Sequence, residues 1–145
     1  MDALADVLRT EIGTELASDG IDAEIEARLV LDPSESPCLD VYPGSPSRDR
    51  ESAGFGQVTG AYVVTVRARV TAADDESTQD LLLDMVDDDH ALSVASALES
   101  DPTLAGWATD VWVDPDGFSG LLDLSTSGKQ MVGCTWRVMV EAAHS

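Results

Sequence analysis

The closing stretch of the chain, from Met131 to Ala142, most narrows what it can fold into. Val132, Cys134, Trp136, Val138 and Val140 occupy one parity, and Thr135, Arg137 and Glu141 occupy the other. Alternation of this strictness is the signature of a strand with one face buried and one face polar. Such a strand cannot stand alone. It needs hydrogen-bonding neighbours and a layer to cover its apolar side, so the segment commits the chain to a covered sheet.

The covering layer is legible upstream. Residues 2–18 carry Leu4, Val7, Leu8, Ile12 and Leu16 on one helical stripe, with Asp6, Arg9 and Glu15 elsewhere, and Asp19-Gly20 supplies the stop. A second helix is expected over Ala73–Asp88, where Leu82, Met85 and Val86 share a stripe widened by Leu81. Asp74, Asp75 and Glu76 crowd its first turn, where carboxylates interact favourably with free N–H groups. Val94, Ala95 and Leu98 predict a short third helix, broken by Asp101-Pro102 and Gly106. Alternation favours a strand over Ile25–Leu31, where Ile25, Ala27, Leu29 and Leu31 alternate with Glu24, Glu26 and Arg28, with a helix continuing past Gly20 as the alternative, and predicts further strands over Cys38–Tyr42 and Val58–Ala72. The expected fold class is α+β: a mostly antiparallel, twisted sheet with two main helices packed on one face.

A length of 145 residues suits one domain, and residues 1–145 are read as such. Residues 43–57, PGSPSRDRESAGFGQ, form a long flexible loop in this reading, too poor in apolar side chains to be more than a connection. Arg48 and Arg50 give that loop local positive charge, which suits either docking on an acidic partner or a plain hairpin connection. No run of eighteen apolar residues occurs, and the opening MDALADVLRTEIG lacks a basic segment followed by an apolar block. The expectation is a soluble protein that is neither exported nor membrane-spanning. Cys38 and Cys134 both fall in predicted strands without metal-ligand neighbours, and are read as buried free thiols.

Charge excludes one class. With 28 acidic side chains against 8 basic ones and a net charge of −20, the chain is the electrostatic opposite of a nucleic-acid binder. The acidity fits a high-salt host, a GC-rich genome or a surface past which DNA slides. Arg67 and Arg69, joined by Arg137, are expected as a basic stripe on the solvent side of the sheet, meeting carboxylates of the same chain or of a neighbouring subunit.

Candidate chemistry is sparse. Asp87-Asp88-Asp89-His90 offers metal-type ligands, but consecutive helical residues point in different directions. Asp114-Pro115-Asp116-Gly117 opens like a calcium loop and lacks its closing Glu, which leaves a turn. His90 and His144 are the available imidazoles, and neither has a nucleophile at a telling spacing. "GFGQVTG" at Gly54–Gly60 has no following Lys, as a phosphate loop would. Trp136 is read as core, and Trp107 and Trp112 as less determined. Neither catalysis nor a cofactor is expected.

One resemblance gives these weak features a direction. The order of a short helix, "DPTLAG", a strand, "DGFSG" and a final alternating strand, from about Gln79 to Ala142, resembles the C-terminal half of tail terminator proteins of long-tailed actinobacterial phages. "PCLDVYPG" at Pro37–Gly44 falls where such proteins place an early strand. The resemblance implies a virion protein assembled in the host cytoplasm: a ring, usually of six copies, that caps the tail tube, stops its polymerisation and offers the head an attachment surface. Partners would be further copies of itself, the major tail tube protein and head–tail connector or neck proteins, with DNA passing through the lumen unbound. The contact surfaces expected for such a ring are Arg48 and Arg50, the Arg67, Arg69 and Arg137 stripe, and Asp116 and Phe118 in the "DPDGFSG" turn. Rival readings are a neck protein of the same general fold and a halophilic ligand-binding or enzymatic α+β domain.

Overall fold

The structure is a computed structural model that describes residues 2–21, 23–31, 33, 36–43, 61–71, 76–87, 92–100, 108–125 and 130–142. The chain opens with α1 (Asp2–Leu8), a π-helical turn (Arg9–Gly13) and α2 (Thr14–Ser18), one continuous helical run. The predicted stripe is the buried one: Leu4, Leu8, Ile12 and Leu16 are each at most 1% exposed. In the π turn the Thr14 N–H reaches back to the Arg9 carbonyl, the wide spacing of such a turn. The run ends as Asp19-Gly20 predicts. Gly20 takes φ +77°, its N–H bonds the Ala17 carbonyl, and the Ile21 N–H bonds the Leu16 carbonyl at 2.9 Å. That pair of bonds is a Schellman cap, which needs the left-handed conformation glycine adopts most readily.

Strands β1 (Glu24–Glu26), β2 (Cys38–Pro43), β3 (Ala61–Thr71), β4 (Ala108–Asp114), β5 (Leu122–Asp123) and β6 (Met131–Ala142) form one sheet, in the order β1-β2-β3-β6-β4 with β5 also beside β6. β1 runs parallel to β2, and every other pair is antiparallel. The β3–β6 ladder is its spine, from Ala61 opposite Glu141 to Thr71 opposite Met131. Gly133 sits in that ladder because nothing larger fits: a Cβ there would collide with the Ala68 carbonyl oxygen and stand 2.9 Å from Leu124 Cδ1.

Helices α3 (Glu76–Val86) and α4 (Val94–Glu99) join the N-terminal run over one face of the sheet. Ser93 starts α4 as an N-cap, its Oγ accepting from the Ser96 N–H at 3.1 Å. The core between the layers holds Leu4, Leu8, Ile12 and Leu16 from the first run, Leu82 and Met85 from α3, and Val94 and Leu98 from α4. The sheet contributes Leu39, Val41, Val64, Val66, Ala68, Val111, Cys134, Trp136 and Val138. The α+β class, the mostly antiparallel sheet and the one-sided helical layer are therefore as the sequence predicts. Cys38 and Cys134 are buried and free, as read. Among the described residues no helix is long and apolar enough to cross a membrane.

One element departs from expectation. The strand read over Ile25–Leu31 shrinks to Glu24–Glu26, and Leu29 and Leu31 are exposed while Val30 is buried. After β1 the chain bends away from the ladder, and the main chain at Val30 is captured by side chains of the sheet's second face. A strand register yields when polar side chains offer the backbone other partners.

Candidate functional site: a buried ion cluster and an open groove

Alternation along β2 turns Leu39 and Val41 to the helices, and so places Cys38, Asp40 and Tyr42 on the opposite face. The register sets Asp40 directly across from Arg67, and Cys38 across from Arg69. The fork of Arg67 closes on Asp40, Nε to Oδ1 at 3.0 Å and Nη2 to Oδ2 at 2.5 Å. Arg69 Nη2 reaches the same Oδ2 at 3.4 Å and the Val30 carbonyl at 2.8 Å. The Val30 N–H donates to Asp40 at 3.0 Å, so one main-chain residue is held through both its polar groups. Asp40 is fully buried and Arg69 is 1% exposed.

This overturns the solvent-facing basic stripe. Arg67 and Arg69 pair within the chain and lie beneath the backbone at Val30, because an acidic residue on the neighbouring strand stands opposite them. Arg137 also pairs internally, with Asp114 at 3.3 Å, and stays partly exposed on β6, opposite Thr65. Each of the three arginines has a carboxylate partner within the chain.

The cluster's electrostatics follow from its burial. Burial opposes the charge on Arg67, but the hydrogen bonds and charge of Asp40 outweigh it, and the pKa of Arg67 rises. Burial lifts Tyr42, against the pull of the Arg67 guanidinium 5.3 Å from its ring centroid. Burial also pushes the Cys38 thiol up to about 11, with Arg69 working the other way. A thiol held neutral in this way is a packing group and a poor nucleophile. Arg69 Nε is buried with no hydrogen-bond partner among the described residues. Two guanidinium groups around one carboxylate hold the neighbouring strands and the backbone at Val30 together.

The groove lies on the helical side. Val86 ends α3, Ala95, Ser96 and Glu99 line one side of α4, and Val113 and Asp114 end β4. Phe118 and Trp136 complete the lining of a space of about 530 Å³ that is open to solvent on one side. The Phe118 and Trp136 rings meet at 5.7 Å between centroids with a 42° tilt. Phe118 is brought there by the "DPDGFSG" turn, which is a single 3-10 turn (Pro115–Gly117) capped by Asp114 Oδ1 accepting from the Asp116 N–H at 2.9 Å. Gly117 is required at this point, since a Cβ would run into Arg137 Cβ. The turn is thus split in role: Asp116 is exposed, as a contact residue would be, whereas Phe118 turns inward onto Trp136.

β4 is also an edge strand, and its edge is guarded. The Val113 N–H is taken by Glu99 Oε2 at 3.3 Å and the Val111 N–H by Asp110 Oδ1 at 2.9 Å, which removes donors that another strand would use. Sequence reading passed over Asp40, Glu99 and Asp110. A usable signal existed for Asp40 alone: two arginines two apart in one strand of a chain this short of cations call for a carboxylate on the strand beside them.

Arg48 and Arg50, residues 44–57 of the loop, Asp88–His90, Trp107 and His144 lie outside the described residues. Among the described residues no group of His, Cys, Asp and Glu is arranged to hold a metal ion. No protein-family model matches the chain, and no curated protein matches it as a relative.

Proposed function

We propose that the protein is a structural component of a phage virion, a tail terminator whose ring of copies caps the tail tube. One observation supports the reading: within the segment that resembles the family, from about Gln79 to Ala142, the described residues form the end of α3, then α4, β4, the 3-10 turn, β5 and β6 in that order. α4 packs on β4, β4 pairs with β6, and the turn seats Phe118 on Trp136. In this role specificity comes from ring geometry, one face matching the last tube ring and the other refusing a further tube subunit. The partners are further copies, the tube protein and the neck proteins, and DNA crosses the lumen without being bound, in keeping with the charge of −20.

The deciding experiment is deletion of the gene in its phage. Filled heads beside unjoined tails of uncontrolled length are expected, and joined tails of normal length would end the proposal. Six-fold rings at the tail–neck junction in electron micrographs of virions are the second expectation. A second reading, a ligand-binding α+β domain, draws on the groove beside Trp136, and a gene placed among metabolic enzymes rather than tail genes would favour it.

A further inference from the structure

The groove is a composite of two features that recognise the same chemistry. Its inner wall is aromatic, with Trp136 only 4% exposed and Phe118 tilted against it. Its rim is anionic. Asp114 shares its charge with Arg137, whereas Glu99 is exposed and makes no ion pair among the described residues. Trp136 backs the wall and is too buried to be stacked on, so the ring open to a cation is Phe118, and a carboxylate at the rim accepts charge-assisted hydrogen bonds from that cation's head.

We infer that this groove receives an arginine side chain presented by another polypeptide. Arginine fits better than lysine: its planar guanidinium stacks on rings and bonds a carboxylate through two N–H groups, and its aliphatic stem matches the apolar walls. A net charge of −20 draws basic partners and repels acidic ones at long range. A polypeptide suits the shape better than a small molecule. Small-ligand sites enclose most of their ligand, whereas this groove of about 530 Å³ is open along one side and borders the β4 edge through Val113. The inference does not depend on the ring proposal, because it follows from groove chemistry whatever the assembly.

Three blocked probes test it: acetyl-Leu-Arg-Leu-amide, its citrulline counterpart, and free arginine amide. They are titrated into the whole protein at low salt, with the Trp136 indole and the Ser96 and Val113 amides followed by nuclear magnetic resonance. The arginine peptide should shift those signals, weaken with added salt, and bind about tenfold or more tightly than the citrulline peptide, whose head has the same shape without the charge. Glu99→Gln, which keeps an acceptor for the Val113 N–H, should remove most of that advantage, and Glu11→Gln, the same charge change on an exposed helical residue, should not. Equal binding of the citrulline peptide, no shift with any probe, or an unaffected Glu99→Gln variant would overturn the inference. Arginine amide binding as tightly as the peptide would overturn it too, by marking a small-cation site.

Discussion

The two faces of this sheet bury side chains by opposite means. On the helical face Leu39, Val41, Val66, Cys134, Trp136 and Val138 meet apolar helices, and burial there is favourable wherever shapes fit. On the second face Cys38, Asp40 and Arg69 are buried and Arg67 is partly buried around the backbone at Val30, and burial there is tolerable only because each charge has a partner. The first face is robust to exchange of one apolar residue for another of similar volume. The second is a matched set, in which loss of one member strands the others.

The largest expected effects set the faces against each other with one substitution apiece. Asp40→Ala should cost about 3–5 kcal/mol, because it leaves two guanidinium groups with no carboxylate and the Val30 N–H with no acceptor. Trp136→Ala should cost about 3–5 kcal/mol through lost burial and the cavity left behind. Urea denaturation gives both numbers, and a distinction follows. Uncharged Asp40→Asn should recover only part of the loss, since an amide accepts hydrogen bonds without balancing charge. Full recovery in Asp40→Asn would mean that the cluster is held by hydrogen bonding alone.

The next prediction removes the contrast. Replacing Asp40, Arg67 and Arg69 together by Leu, Met and Met turns the second face into a copy of the first. Ion sets exchanged whole for apolar groups are often neutral or stabilising, so the triple variant should fall within about 2 kcal/mol of the parent or exceed it, far above Asp40→Ala alone. If the triple variant is as unstable as the single one, the cluster's role in fixing the main chain at Val30 outweighs the cost of desolvating its charges. Reversing Arg67 and Arg69 to Glu is no probe of a subunit interface for the same reason: it would put three carboxylates beneath Val30 and unfold the region.

These two modes of burial also explain what was legible beforehand. The helical stripe of Leu4, Leu8, Ile12 and Leu16 and the alternation of β6 are apolar periodicities; the stripe is buried, and so are Cys134, Trp136 and Val138 of β6, with Val132 and Val140 partly so. The Gly20 stop was legible because a left-handed cap has a residue signature. Arg67 and Arg69 were misplaced because period-two reasoning equates the polar face with the wet face. That rule fails when a neighbouring strand supplies the counter-charge, and pairing between strands is a long-range fact that no local window contains. Leu29 and Leu31 failed with them: the departure of the chain from the sheet after Glu26 is driven by Asp40, Arg67 and Arg69, which lie ten or more residues further on. The groove was half visible. Trp136 was assigned to the core correctly, but Phe118 reaches it only through the 3-10 turn, and Glu99 joins them only once α4 is laid along β4.

The smallest effect compares the faces through their cysteines. Cys134 lies among apolar groups and its thiol is pushed up to about 12 by burial, whereas Cys38, with Arg69 Nη2 at 3.8 Å from its sulfur, stops at about 11. In both cases the unfolded chain ionises first, so the stability tied to the neutral thiol is complete below the ordinary value of 9.0 and is lost as pH rises toward the folded value. Each thiol removes at most about 1.4 kcal/mol per pH unit in that window. Tyr42 acts in the same direction above its ordinary value of 10.0, so the measurement belongs in a Tyr42→Phe background. There, urea midpoints from pH 8 upward should fall less steeply in Cys38→Ala and in Cys134→Ala than in the parent, and thiolate absorbance of the folded protein should show Cys38 titrating first. Arg69→Met should then raise Cys38, because it strips the cation that most opposes the effect of burial there. Cys134 titrating before Cys38 in the parent would mean that Arg69 is spent entirely on Asp40 and Val30, and that the second face gives its thiol no more electrostatic relief than the apolar core does.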